Sequence, residues 1–163
     1  MTPRTRDESG FALIEMLVAI VVINLALLAI LLALTSGMTT LRRSAETSTA
    51  SAIADTQLER YRAVVLASIY LDSTALAATD STYQADTAYS ASQVNQVCGT
   101  LTAVCTPTQT VTGPDGRSYR VDTYIVSVTP SGGTAVKQIT VVVRKSGTTA
   151  TLARVVSTAG TDF

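Results

Sequence analysis

The chain has 163 residues, which suits a single domain, and its formal charge is zero because 12 Lys and Arg balance 12 Asp and Glu. No block of basic residues stands out, so bulk charge gives no support for nucleic-acid binding. There is no histidine, which removes the commonest general base, the usual serine and cysteine triads and most zinc sites. We therefore expect a protein that is not an enzyme, with no catalytic residues, no metal and no cofactor.

The strongest hydrophobicity lies in residues 11–34, which read FALIEMLVAIVVINLALLAILLAL. A helix of this length reaches about 36 Å at about 1.5 Å per residue, enough to span a bilayer. No small-residue cleavage site follows promptly, as it does in a secretory signal. We predict that the segment is a retained transmembrane anchor. Arginines flank both of its ends, so the charges do not decide which side the rest of the chain faces.

The N-terminal segment carries four features in a fixed order. A short polar leader, residues 1–10, ends in Gly10, and Phe11 follows it. Glu15 lies four residues after Phe11, at the start of an unbroken apolar run. In this combination the segment resembles the class III signal of type IV prepilins and pseudopilins, the prepilin-type N-terminal cleavage and methylation motif. The resemblance is specific over residues 5–40 and only architectural beyond them.

The resemblance implies a role for three residues. Gly10 is the residue before a cut made on the cytoplasmic side by a membrane aspartic prepilin peptidase. Phe11 becomes the new N-terminus and is usually N-methylated. Glu15 serves in subunit registration, in which it pairs with the α-amine of a neighbouring subunit. The leader is then cytoplasmic and the C-terminal part is outside, first as a single-pass protein of the bacterial cytoplasmic membrane and then in a cell-surface pilus.

Glu15 also has an interpretation that needs no partner. A carboxylate near hydrocarbon costs about 2–4 kcal/mol unless it is paired or reaches the interface. One turn from the helix start, the side chain interacts favourably with the helix dipole. It then reaches the headgroups unaided, and this alternative competes with the registration role.

The implied partners are other pilin subunits, the prepilin peptidase, an assembly ATPase with its platform protein, and the membrane. Pilins that form the bulk of a pilus often have a helix-breaking proline in the apolar span, and none lies between Pro3 and Pro107 here. The stretch from Gln57 to Arg62 resembles the QLE-R segment of the type IV pilus modification protein group. We expect a minor type IV pilin that works in assembly, adhesion, motility or DNA uptake. The alternatives are a type II secretion pseudopilin and, more remotely, a single-pass protein with an unrelated outer domain.

The helix is predicted to continue beyond the anchor, through residues 35–71. A stripe on one face of this continuation, spaced by three and four residues, predicts an amphipathic helix laid on a sheet. The stripe consists of Ala54, Leu58, Tyr61, Val65 and Ile69.

Residues 72–108 show no lasting helix or strand period, and we interpret them as the variable loop between helix and sheet or as a poorly ordered linker. They include Cys98 and Cys105. If this part lies outside the cytoplasm, a disulfide that closes a small loop is expected. The alternative is two reduced thiols.

Residues 109–163 change to a period of two, which predicts an antiparallel sheet. The predicted strands and the turns between them are short and consecutive: 109–112, 118–129, 135–144 and 149–157, joined by turns at 113–116, 130–133 and 145–147. The fold class is therefore α+β, a long N-terminal helix packed on a small antiparallel sheet, as in the type IV pilin fold. Two carboxylates, Asp115 and Asp122, do not make a calcium site, and the basic residues scatter over the strands.

Overall fold

The computed structural model describes residues 9–99 and 102–160, and describes side chains from 13 to 99 and from 104 to 160. Most of the predicted leader, residues 1–8, and the last three residues of the predicted sheet region lie outside this range. The first element is α1, Ser9–Arg62, a helix of 54 residues. The chain divides into two compact units, Met1–Ser44 and Ala45–Phe163.

In the first unit, α1 has an exposed apolar surface. Every large apolar side chain from Leu13 to Leu41 is at least 54% exposed. The polar Asn24 is satisfied within the helix, because its Nδ2 donates to the Ile20 carbonyl at 2.8 Å. By length and composition this helix is able to cross a membrane, although a signal sequence has the same character.

The second unit contains the rest of α1 and all remaining elements. In chain order these are β1 (Leu71–Asp72), α2 (Ser73–Ala77), α3 (Ser81–Gln84), β2 (Asn95–Gln96), α4 (Thr102–Cys105), β3 (Thr108–Thr112), β4 (Ser118–Val128), β5 (Val136–Lys145) and β6 (Thr151–Ala159). Strands β1 and β2 form a two-residue parallel pair. Strands β3 to β6 form an antiparallel sheet in sequential order.

The predicted meander is confirmed, with strand limits that differ from the prediction by at most two residues. Each of the three connecting turns contains a glycine with positive φ: Gly116 at 72°, Gly132 at 78° and Gly147 at 77°. This conformation is strained for a residue with a Cβ, so glycine allows turns this short. The sheet is thus built from local pairings.

From Ala45 onward, α1 packs on one face of the sheet. Ala50, Ala54, Leu58 and Tyr61 on the helix are at most 2% exposed. They meet alternating residues of the sheet in one apolar cluster: Tyr119, Val121, Ile125, Ile139, Val141, Val143 and Ala153. Because Ala50 and Ala54 are small, Leu58 and Tyr61 supply most of the apolar volume that these four residues add to the cluster. The α+β class is therefore observed.

The predicted extension of the helix to residue 71 is wrong, because α1 ends at Arg62. Val65 is 71% exposed, whereas Ile69 is 2% exposed and reaches the core only after a 3₁₀ turn, Leu66–Ser68. Lys137 on β5 then holds the turn, since its Nζ donates to the carbonyls of Leu66 and Ile69 at 2.7 Å each.

The region predicted as a loop covers the other face of the sheet. We call residues 72–96 the strap. Two of its short helices start with an aspartate cap: Asp72 accepts from the Thr74 N–H and Asp80 from the Tyr83 N–H, both at 2.9 Å. Tyr83 packs with Tyr124 of β4 and Val142 of β5 in a second buried cluster. The sheet therefore lies between α1 and the middle of the strap, whereas Leu76 and Val94 of the strap pack against the cluster that contains α1.

Candidate functional sites

The predicted processing bond joins Gly10 to Phe11 in the first turn of α1, which begins at Ser9. The side chain of Phe11 lies outside the described side chains. The first turn of a helix lacks half of its hydrogen bonds and opens at low cost. The helical conformation therefore adds little cost to binding by a peptidase that needs an extended substrate. Processing at this bond stays a prediction.

Glu15 lies exposed on α1 within the apolar surface. No Lys or Arg occurs between Glu15 and Arg42 in the sequence. Among the described side chains, none forms a hydrogen bond or ion pair with Glu15. In an apolar environment its charge is therefore either compensated from outside the described part of the chain or carried to the headgroups by the side chain.

The two cysteines form the predicted disulfide, Cys98–Cys105, with their Cα atoms 6.5 Å apart. Cys105 is 2% exposed. The loop is anchored to the last turn of α1, because the Tyr61 hydroxyl donates to the Val104 carbonyl. Burial raises the pKa of Tyr61 well above its usual value, so this hydroxyl keeps its proton. The disulfide therefore fixes the chain between strap and sheet against the helix.

Six alternating charges bind the strap to the sheet, and we call them the charge ladder: Asp80, Arg120, Asp122, Arg144, Asp86 and Arg154. At one end Arg120 makes a bidentate pair with Asp80 of the strap, at 2.5 and 2.7 Å. The Arg120 Nε also donates to both oxygens of Asp122, at 2.8 and 3.1 Å. Asp122 is fully buried on β4, and Thr108 adds a hydrogen bond at 3.0 Å.

The other end of the charge ladder repeats this arrangement. Arg144 on β5 bridges Asp122 and Asp86 of the strap, and both pairs are at most 4% exposed. Arg154 on β6 donates to the two Asp86 oxygens at 2.8 and 2.9 Å. Three strands are therefore cross-linked to the strap by charge-assisted hydrogen bonds. If one member of such a buried pair is replaced by a neutral residue, the charge of the other member stays buried and uncompensated.

The charge ladder shifts the pKa values of the strap carboxyls. The hydrogen bonds from Arg120 and from the Tyr83 N–H hold the pKa of Asp80 well below its usual value of 3.8. Burial opposes ionisation of Asp86, but the Ala88 N–H and the two guanidiniums outweigh it and lower its pKa. Both aspartates therefore bind the sheet as anions at neutral pH.

Two tyrosines complete the contact between strap and sheet. The rings of Tyr83 and Tyr124 stack with centroids 4.3 Å apart. The Tyr83 hydroxyl donates to the Thr123 carbonyl at 2.7 Å, and the Tyr124 hydroxyl donates to the Tyr83 carbonyl at 3.0 Å. Burial raises the pKa of both phenols far above the usual value. The strap is therefore held by apolar packing, hydrogen bonds and ion pairs together.

Sequence reasoning did not find the charge ladder. Its arginines are the residues that look scattered along the strands, and Asp122 is one of the two carboxylates considered for calcium. The oxygens of Asp122 accept from arginines, and Asp115 accepts from the Tyr119 hydroxyl at 2.6 Å. No cluster of three His, Cys, Asp or Glu able to hold a metal occurs among the described residues. A local signal for the strap exists in the repeated Asp-Ser-Thr at 72–74 and 80–82, a helix-capping pattern.

No protein-family model, curated protein or solved structure matches the chain significantly.

Proposed function

We propose that the chain is a minor subunit of a type IV pilus, made as a prepilin and working as a structural protein. The proposal depends on one observation. The order Gly10, Phe11, Glu15 stands at the start of a helix whose large apolar side chains are all exposed from Leu13 to Leu41. Such a surface requires a hydrophobic environment. A bilayer before assembly and a bundle of apolar pilin helices after it supply that environment in turn.

In this proposal the chain is inserted with its leader inside, and the prepilin peptidase cuts between Gly10 and Phe11. The assembly ATPase and the platform protein then extract the subunit from the membrane. The apolar part of α1 joins the core of the fibre, and the second unit forms its outside. The helix-on-sheet architecture of that unit supports the proposal, since it is the architecture expected for a pilin.

A type II secretion pseudopilin is the second candidate. The absence of proline between Pro3 and Pro107 favours a minor pilin or a pseudopilin over a major subunit. The two candidates share the cut, the apolar helix and the role of Glu15. They differ in the filament that incorporates the chain.

The proposal is tested by mass spectrometry of the N-terminus in a host with and without prepilin peptidase. We expect a mature chain that starts at N-methylated Phe11 only when the peptidase is present. A Gly10→Val variant is the matched control, and it should stay uncut because the peptidase no longer finds its small residue. A wild-type chain that still starts at Met1 in the presence of the peptidase contradicts the proposal.

A further inference from the structure

The antiparallel sheet has two edge strands, β3 and β6. Proteins commonly protect sheet edges with charged residues, prolines or bulges, because an unpaired strand edge binds further strands. β3 reads TQTVT and pairs with β4 without a bulge, so it has none of these protections. β6, in contrast, contains Arg154 of the charge ladder. β3 is therefore the less protected edge.

Two hydrogen bonds just beyond the ends of β3 show which of its residues face β4. Before the strand, the Pro107 carbonyl accepts from the Thr123 N–H, and after the strand the Gly113 N–H donates to the Arg117 carbonyl, both at 2.8 Å. The residues of an antiparallel strand turn their backbone groups alternately toward and away from the neighbouring strand. The odd-numbered residues of β3 therefore bond to β4, and the even-numbered residues face away from it.

The outward-facing backbone groups of β3 thus belong to threonines, Thr108, Thr110 and Thr112. No backbone group of the described residues bonds to Thr110 or Thr112 on this outer side, and both residues are exposed. An extended peptide beside β3 would bond to these N–H and C=O groups as a fifth strand of the sheet.

A groove of about 230 Å³ accompanies this edge, between β3 and α1. Its apolar lining includes Ile53, Val111 and Val121. Gln109 pairs with Val121, which belongs to the apolar cluster on α1, so the side chains of Gln109 and Val111 lie on the helix side of the sheet. Because side chains alternate between the two faces of a strand, the residues of an added strand opposite Gln109 and Val111 would also point to this side.

The two ends of the groove differ in polarity. At one end, Gln109 Nε2 and Arg60 Nη1 both donate to Gln57 Oε1, at 2.8 and 3.4 Å. Arg60 is exposed, and no carboxylate of the described residues pairs with it. Ile53, one turn before Gln57 on α1, and Val111 line the apolar remainder. A carboxylate is therefore favoured opposite Gln109, and an aliphatic side chain is favoured opposite Val111.

We propose that β3 binds an extended segment of a partner protein whose sequence reads aliphatic-any-acidic. The segment lies antiparallel to β3, since antiparallel pairing is the more stable. Its aliphatic side chain then lies beside Val111, and its carboxylate lies beside Gln109 and pairs with Arg60. The contact is contained in the second unit, and it depends neither on the cut after Gly10 nor on neighbouring copies of this chain.

Peptide binding to the full chain in detergent micelles tests the charge that the groove selects. The probe is the fluorescein-labelled peptide TTVTETT, and its fluorescence anisotropy reports binding. We expect saturable binding of TTVTETT and at least about fivefold weaker binding of TTVTKTT, because the lysine faces Arg60. The preference should reverse in the Arg60→Glu variant.

N-methylated peptides separate strand addition from simple docking in the groove. Methylation of the central threonine of TTVTETT removes the N–H that faces β3 and should weaken binding about tenfold or more. Methylation of the valine nitrogen is the matched control. That N–H points away from β3, so binding should stay within about twofold of the unmodified peptide.

Thr110→Pro makes the same test from the side of the chain. It removes an outward N–H and keeps the bonds from Gln109 and Val111 to β4, and proline is tolerated at such an edge position. We expect about tenfold weaker binding of TTVTETT, whereas Thr110→Val keeps the N–H and should bind within about twofold of wild type. Equal unfolding midpoints exclude a folding defect, and the methylated peptides test the same bond if the proline variant does not fold.

The remaining outcomes overturn the proposal. No saturable binding of TTVTETT up to about 1 mM overturns it, and so does binding that survives both Thr110→Pro and methylation of the central threonine. Self-association of the chain that Thr110→Pro abolishes, without peptide binding, shows that the edge pairs with a second copy instead of the proposed partner. A wild-type chain that is not cut by the peptidase overturns the proposed function, and the peptide measurements do not depend on that result.

Discussion

Glu15 is a single carboxylate on an apolar helix surface, and no described side chain pairs with it. The proposed partner is the amine that the cut creates on a neighbouring subunit. An ion pair in an apolar fibre core is stronger than in water, but it must compensate the desolvation of both charges. The buried charge of Glu15 therefore destabilises a single subunit, and it is stabilised only when a neighbouring subunit is placed correctly. This asymmetry is what a registration contact requires.

We expect Glu15→Gln to leave cleavage after Gly10 largely intact and to reduce incorporation into filaments. Loss of about 1–2 kcal/mol per contact corresponds to a factor of about 5–30 in the bound fraction. The measurement is the ratio of processed chain in filaments to processed chain in the membrane.

Asn24→Leu is the matched control for this variant. Its amide already donates to the Ile20 carbonyl, so its replacement should not change incorporation. Equal incorporation of Glu15→Gln and wild type would contradict the registration role.

The strap is the element whose position depends most on long-range contacts. It crosses the sheet face opposite α1 and is fixed by the charge ladder and by the stacked tyrosines. Buried ion pairs of this kind contribute less to net stability than to the choice of one arrangement. We infer that the charge ladder selects the position of the strap on the sheet.

We expect Asp122→Asn to destabilise the second unit by about 3 kcal/mol, because it leaves two arginine contacts without their buried anion. The measurement is urea unfolding of the full chain in detergent micelles, followed by the near-UV circular dichroism of the tyrosines. Glu59→Gln serves as control, since it removes an exposed pair with Arg62 worth less than about 0.5 kcal/mol. Equal unfolding midpoints for the two variants would refute the structural role of the charge ladder.

The sequence allows prediction of elements whose cause is local. The alternation of Tyr119, Val121 and Ile125 predicts β4, and the stripe of Ala54, Leu58 and Tyr61 predicts the packed face of α1. The end of α1 is not predictable in this way, because Lys137 holds the following turn from a distant strand. The charge ladder cannot be predicted for the same reason, because residues that pair in it are up to 68 positions apart in the sequence and meet only in the folded sheet.

At the scale of the whole molecule, two features define how the stability of the fold depends on pH. One is the absence of histidine, and the other is the shifted pKa values of buried carboxyl and phenol groups. The lowered pKa values of Asp80 and Asp86 stabilise the fold above the unfolded value of 3.8, and this contribution is lost as the pH falls below it. The raised pKa values of the buried tyrosines stabilise the fold below the unfolded value of 10.0, and this contribution is lost as the pH rises above it. Between about pH 5 and about pH 9 no side chain has an ordinary pKa except the disulfide-bonded cysteines.

We therefore expect the unfolding midpoint of the full chain to be nearly constant from about pH 5 to about pH 9. It should fall on either side of this range. Thermal unfolding at closely spaced pH values measures it. A transition near pH 6.5, where histidine titrates in other proteins, would contradict this account, and so would a stability that holds unchanged well below the usual aspartate range.

The strap also has a consequence for the order in which the molecule folds. It is synthesised before the sheet that it covers, and the sheet residues to which it is hydrogen-bonded follow 31 to 68 positions later. The hairpins of β4, β5 and β6 form from neighbouring segments, which favours early pairing. The strap and the sheet-facing side of α1 can pack only after these hairpins have formed. In the proposed function, where the N-terminal helix enters the membrane, the chain is thus anchored first and completes its second unit last.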